Sequence, residues 1–311
     1  MGTTTMETMT LGWWIHQHLG KAVRKWRKQE EGVKQGEDPE AIHQMRVAMR
    51  RLRSLLKGFE AVLDVPRVAR KVGMLSRVLG QARDADVMLE RLETRYLPVL
   101  PSQEQETLKG WIRQLRRQRQ EQQRELVALL HSATYERVQK AWREWLDHPR
   151  WQPLGDRAVA VTLPHFLLMA WGELSLHPGW DIHGVADNPE GLHDLRKQIK
   201  RTRYLWEFAG DWLGEALQEP LGWLREAQEV LGQLQDGFVL EEQLGLRCPA
   251  LEESLLHDRT ELWRQWQTLR AQLQSRENHQ RIYSGIGGRC LSLVTPPAAT
   301  ETAHPAAVPL G

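Results

Sequence analysis

Cysteine is nearly absent from this chain of 311 residues. It has two, Cys248 and Cys290, neither in a CxxC pair and neither with histidines at metal-ligand spacing. A disulfide framework is excluded and a zinc site is not expected. Valine, isoleucine and threonine are sparse, and no segment shows convincing two-residue alternation, so strands are not required. We expect no run of about 18 apolar residues, and hence no membrane span. The N-terminal residues are polar and Thr-rich, without a basic then apolar leader, so the expected compartment is the cytoplasm. No GxxxxGK[ST] loop occurs for gripping a nucleotide phosphate. A large charge of one sign is missing too: 42 Lys and Arg against 40 Asp and Glu leave a formal net of +2. Any polyanion site must therefore come from local clustering.

What remains is helix-forming. Leu, Arg, Gln, Glu and Ala dominate, and apolar residues recur at three and four between Pro and Gly breaks. The pattern predicts helices near residues 8–31, 39–63, 66–80, 84–96, 102–131 and 134–147. A second series follows near 156–176, 189–213, 216–232, 236–245 and 249–276. Asp38-Pro39 and Asn188-Pro189 each read as an N-cap followed by a proline where no amide is needed, and Ser102 reads as another cap. Residues 148–155 look like a joint. Residues 295–311, rich in Pro, Ala and Thr, have too little apolar bulk to order and are expected to be a disordered tail. Six tryptophans, Trp142, Trp171, Trp206, Trp212, Trp223 and Trp263, fall at apolar helix positions and are assigned to the core.

The chain also resembles itself. Residues 38–46, DPEAIHQMR, match residues 188–196, NPEGLHDLR, 150 positions on. His43 pairs with His193, Arg46 with Arg196, Arg50 with Lys200, Arg51 with Arg201 and Arg53 with Arg203. Residues 79–87, LGQARDADV, match residues 231–239, LGQLQDGFV, 152 positions on. Two matches in one order argue for an internal duplication. The expected architecture is all-α: one helical bundle over residues 8–150, a second over 155–285, and pseudo-twofold symmetry between them.

On a helical wheel, His43, Arg46, Arg50 and Arg53 share one stripe, while Met45, Met49, Leu52, Leu55 and Leu56 oppose it. His193, Arg196, Lys200 and Arg203 form the second stripe, against Leu195, Ile199, Leu205 and Trp206. Arg51, Lys197 and Arg201 flank the stripes. From Ala41 to Phe59 there are five Arg or Lys and no acid. Like charges one turn apart repel, so a polyanion would relieve them. Arginine's planar fork suits phosphate. A solvated basic face is the plain alternative, and its occurring twice with the histidine in place weighs against it. Secondary basic clusters lie at Lys21, Arg24, Lys25 and Lys28 and at Arg113, Arg116, Arg117, Arg119 and Arg124. Either extends the track or is a solvated face, balanced on the long helix by Glu104, Glu106, Glu121 and Glu125.

The HxxR helix found twice, with LGxxRD-x-x-V, resembles the CHAD domain, the conserved-histidine α-helical domain, over about residues 10–285. The resemblance implies two pseudosymmetric helical bundles with a basic cavity between them. It implies binding of inorganic polyphosphate and, in some members, association with granules. The implied binding residues are His43, Arg46, Arg50, Arg51, Arg53, His193, Arg196, Lys200, Arg201 and Arg203. Lys197 joins them from its flank, and Lys21, Arg24, Lys28, Arg83 and Arg116 form a secondary set. Arg83 has Gln235 opposite it, so its role is single-sided. Asp84 and Asp236 read as caps or as partners that orient an arginine. No cofactor, metal or catalytic residue is expected. A nucleic-acid backbone is the alternative occupant, although no base-reading motif is present. A metal-dependent phosphohydrolase is the other alternative, although the HxxR helices carry no carboxylate cluster.

Overall fold

A computed structural model describes residues 8–36, 39–244 and 248–294. Among these residues every regular element is a helix. The backbone pairings outside helices are two isolated bridges, Thr10 with Ala158 and Leu63 with Trp151. The helices are α1 (Leu11–Lys28), α2 (Glu30–Gln35), α3 (Pro39–Gly58), α4 (Val72–Arg91), α5 (Ser102–Leu130) and α6 (Ala133–Asp147). Then come α7 (Val159–Ser175), α8 (Pro189–Phe208), α9 (Gly210–Leu213), α10 (Gln218–Leu244), α11 (Pro249–Leu273) and α12 (Arg276–Val294).

The two basic helices, α3 and α8, are each 20 residues long and begin at matching prolines. They pack against each other at the centre of the molecule. Around α3 lie α1 and α4, with α5 on α4. Around α8 lie α7 and α10, with α11 on α10. The second series thus repeats the neighbour order of the first. The apolar stripes do what their spacing predicts: Met45, Met49, Leu52, Leu55, Leu195, Ile199 and Trp206 are fully buried. Trp142, Trp171 and Trp212 join them, and Trp223 and Trp263 pack on the same core from its edge.

Two apolar clusters result. The larger draws on helices of both series. The smaller lies where the tips of two hairpins meet. It combines Ala85, Leu92 and Tyr96 with Leu108 and Ile112 from the α4–α5 hairpin. Leu240, Leu251 and Leu255 come from the α10–α11 hairpin. Polar contacts clamp the same tips. Asp258 of α11 is nearly buried, accepts from the Tyr96 hydroxyl at 2.8 Å and from Arg95 Nε at 2.9 Å, and forms an ion pair with Arg91 at 3.6 Å. Glu104 of α5 accepts from the amides of Ala250 and Leu251, at 3.1 and 3.2 Å. A carboxylate there satisfies two of the donors left over at the start of α11 and meets the positive end of its dipole.

Several sequence expectations change. The predicted breaks at residues 81–83 and 233–235 do not exist; α4 and α10 run straight through them. Gly80 and Gly232 suggested interruptions, but a helix-interior glycine costs only about 1 kcal/mol, which burial of one helix face outweighs. Ser102 is the first helical residue and the cap position is Pro101. Asn188 does cap α8, accepting from Gly191 N at 2.8 Å, whereas Asp38 lies outside the described residues. Helix α12 was not expected at all, because glycines at 285, 287 and 288 masked its apolar spacing; Ile282 and Ile286 are fully buried. The joint at residues 148–155 is anchored, with Gln152 N donating to Val62 O at 2.8 Å. Trp151 fits there because Gly12 and Gly155 leave room: a Cβ on either would stand under 3 Å from the indole. The proposed tail, residues 295–311, lies outside the described residues.

The expectation of no long apolar run was too strict. Residues 159–181 are long and apolar enough to cross a membrane by length and composition alone, with mean hydropathy 1.4. Half of that stretch is buried inside the fold, and α7 packs between α8 and α12, as a core helix does.

Removing the tip clamp should loosen the two hairpins from each other. Asp258→Ala is expected to cost about 2 kcal/mol. That is below the usual figure for a broken buried pair, because Arg95 is more than half exposed. Urea unfolding followed by circular dichroism measures this; a midpoint within error of the parent would contradict the clamp.

Candidate functional site

The packing of α3 on α8 puts two cationic stripes face to face. Lys200 sits in the combined field of Arg196 on its own helix and of Arg50, Arg46 and Arg53 on the other. Arg50 lies in the field of Arg46, Arg203 and Arg196. The stripes therefore meet along one helix–helix contact, flanked by α4 and α10. Burial is the largest influence on Lys200, followed by the four arginines, and together they pull its ammonium down to about 8. Among the described residues neither Arg50 nor Lys200 has an acidic partner or a hydrogen bond.

The remaining cations are partly or wholly tied. Arg46 donates to Asp84 at 2.8 Å. Arg53 is exposed and reaches Ser76 Oγ at 3.3 Å. Arg196 donates to the Gln228 carbonyl at 3.2 Å, lying so close over Gly232 that a Cβ there would stand 2.7 Å from its guanidinium. Glycine in the second LGQ motif leaves room for that guanidinium; the matching Gly80 faces open space. Arg203 is the most engaged, bonded to Glu207 at 2.6 Å and to Gln228 Oε1 at 3.1 Å.

Tyr204 links the two helices. The Arg203 guanidinium lies 4.2 Å from its ring centroid and that of Arg50, from the facing helix, 5.2 Å. A ring beside two guanidinium groups offsets part of their repulsion, at about 0.5–2 kcal/mol each. Its hydroxyl, Arg50 Nε and His193 Nδ1 are all buried without a hydrogen-bond partner among the described residues. Buried polar atoms left unmet call for an explanation.

The histidines stand at the start of each stripe. Burial lowers His43 first; Glu40 opposes this, and Arg83, Arg50 and Arg46 add to it. His193 is lowered by burial and then by Lys197 and Arg196. Both lie below the ordinary histidine value, so both are neutral near pH 7. Arg83 reaches the first histidine from α4, and Lys197 is paired with Asp194 at 2.9 Å.

Other sequence candidates lie apart. Arg201 is exposed, donates to Gln198 Oε1 at 3.2 Å and acts on His177. Arg51 is half-buried on its flank of α3. Lys21 and Lys28 are exposed on α1, and Arg24 leans over Gly20, beside Leu146 of α6. On α5, Arg116 pairs with Glu93 at 2.9 Å and Arg119 with Asp86 at 2.7 Å. Two pockets, of about 540 and 640 Å³, are also away from the α3–α8 contact, the first around Arg27 and Tyr135 and the second around Pro66 and Trp145.

Three participants were not singled out from sequence. They are Tyr204, Gln228 and Arg91, whose charge acts on Asp236. Only Arg91 left a signal, lying seven residues, two helical turns, beyond Asp84. Asp84 and Asp236 sit in mid-helix, which removes the cap reading and leaves the arginine-partner reading.

Comparison with known proteins gives a consistent picture. Residues 17–245, well over half the chain, match the CHAD domain family. Two proteins of Mycobacterium tuberculosis, the uncharacterized proteins MT2285 and Rv2226, are each 27% identical over 239 residues. That match covers 74% of this chain and 44% of each relative, so the chain spans less than half their length. Among solved structures, the CHAD domain from the plant Ricinus communis superposes with TM-score 0.60 and 25% identity, over 90% of this chain and 93% of that one. PptA from Streptomyces chartreusis superposes with TM-score 0.60 over 87% of this chain and 99% of its own; at 18% identity it supports the fold alone.

The strained state of Lys200 has a measurable sign. Its folded value, about 8, lies below the unfolded value of 10.5. Below pH 8 it is charged in both states, and its charge destabilises the fold. That penalty fades as pH rises between the two values. Lys200→Met should therefore raise stability at pH 7, on the order of 2 kcal/mol, with the gain shrinking between pH 8 and 10. Urea midpoints across that range test it; a destabilised variant at pH 7 would show that Lys200 is compensated.

Proposed function

The chain belongs to the CHAD domain family, and from that premise we propose that it binds inorganic polyphosphate in the cleft between α3 and α8 without acting on it chemically. The observation that carries this reading is the pairing of Arg50 and Lys200. They are cations from facing helices, half-buried in one another's field, and neither has an acid to answer it. Holding such charges together is unfavourable until a polyanion arrives. Phosphate oxygens can take bidentate bonds from Arg46, Arg50 and Arg196 and single bonds from Lys200 and His193. Successive helical turns rise about 5.4 Å, a step that serves successive groups of an extended chain. A neutral histidine gains a proton beside bound phosphate, so binding strengthens as pH falls.

The hairpin tips meet beyond the cleft, which suits a thin flexible polymer better than a duplex. Carriage to polyphosphate granules in the cytoplasm would follow from such binding and belongs to the same proposal.

Titration with linear polyphosphate at fixed salt tests the reading. Arg50→Glu and Lys200→Glu are each expected to weaken binding at least tenfold with helix content unchanged. Affinity should fall steeply with added salt. Equal affinity in the double reversal would place binding elsewhere, and a DNA or RNA oligomer that polyphosphate cannot displace would give the cleft to nucleic acid. Phosphate release by the pure protein with Mg²⁺ or Mn²⁺, lost on Arg50→Ala, would make it an enzyme.

A further inference from the structure

Two acids stand inside a site that otherwise collects cations. Asp84 and Asp236 occupy matching places in the two LGQ motifs and lie on the facing walls, α4 and α10. They are close enough to act on one another. Asp84 accepts from Arg46 at 2.8 Å and is itself 68% exposed, so its carboxylate is within reach of an incoming ligand. Asp236 lies deeper. Burial pushes its carboxyl up, and Arg196, Arg91 and Arg46 pull it back. Neither acid caps a helix. Neither belongs to the apolar frame or the tip clamp. Asp84 touches a binding cation, Asp236 lies in the field of three arginines, and a carboxylate carries the same charge as the proposed ligand.

An anion that takes Arg46 must first displace Asp84 from it, and it must then lie in the field of both acids. That subtracts a fixed amount from the binding of any phosphate. A long chain touching cations along the whole cleft retains ample affinity after the subtraction. A short one, held by few contacts, does not. Discrimination through a repulsive element is a general route to specificity.

We propose that Asp84 and Asp236 are specificity-determining residues: Asp84 is an internal counterion that holds Arg46, Asp236 adds a second acid facing the same cations, and together they set an affinity threshold that short phosphates fail. This rests on the polyphosphate reading above. The rejected class is orthophosphate, pyrophosphate, tripolyphosphate and nucleoside triphosphates, all abundant competitors with the same chemistry as the polymer.

The test compares the parent with Asp84→Asn, Asp236→Asn and the double variant, using tripolyphosphate and long-chain polyphosphate as probes at fixed pH and salt. The double variant is expected to bind tripolyphosphate at least tenfold more tightly than the parent, bringing it into the measurable range, and to bind the polymer more tightly as well. Its salt dependence for the polymer should steepen by about one ion per arginine released. Glu261→Gln, an exposed acid paired with Arg264 on α11, should change either affinity by less than twofold. If both probes bind more weakly in the Asn variants, the acids position the arginines and the proposal is overturned. Affinities within twofold of the parent, or an equal gain from Glu261→Gln, overturn it too. Asp84→Asn alters an exposed side chain, so it decides between these outcomes even where Asp236→Asn fails to fold. A parent that binds the polymer while the variants fail to gain sinks only this inference; a parent that binds no polyphosphate sinks the functional reading and this inference with it.

Discussion

Like charges facing each other across a helix–helix contact are the constraint on which the rest of this structure depends. Arg46, Arg50 and Arg53 of one helix look toward Arg196, Lys200 and Arg203 of another. Repulsion between them must be overcome by apolar burial on the far side of each helix. Met45, Met49 and Leu52 under one stripe and Leu195, Ile199 and Trp206 under the other supply it. Full burial of such side chains contributes roughly 1.5–3 kcal/mol apiece, so a handful suffices to hold two cationic columns together. Tyr204 eases the contact from inside by presenting its ring to two guanidinium groups.

Two hairpins then brace the arrangement. They touch the basic helices through α4 and α10 and each other at their tips, where Tyr96, Leu240, Leu251 and the Asp258 cluster close the smaller core. The charged cleft is thus framed by apolar cores. Such a frame fixes the two basic helices, and for the proposed polyanion preorganisation of this kind would lower the entropy lost on binding. Asp84 and Asp236 come from the bracing helices, whereas Glu207, which ties Arg203, comes from the basic helix α8 itself.

Helix periodicity and the matched motifs made the basic stripes, their buried faces and the all-α fold legible, because each depends on spacing within one helix. The interior glycines misled where local propensity and tertiary packing disagree: α4 and α10 continue through Gly80 and Gly232, and α12 forms despite its glycines. The site was legible as a list of cations but not as a balance of charge. No acid lies near Arg46 in sequence, yet Asp84, 38 residues on, neutralises it. Conversely, Arg201 shares its motif with Lys200 and still turns to the other side of the helix, toward His177. Which cation keeps an uncompensated charge is decided between helices, and single-helix reasoning has no access to it.

The most direct test of the account is the titration of the Lys200 side chain by NMR, with and without saturating polyphosphate. An ammonium caught among four arginines should titrate near 8 in the free protein and well above that once phosphate oxygens surround it. A value near 10.5 in the free protein, or no movement on saturation, would mean that the two helices do not hold an unanswered charge for a polyanion to meet.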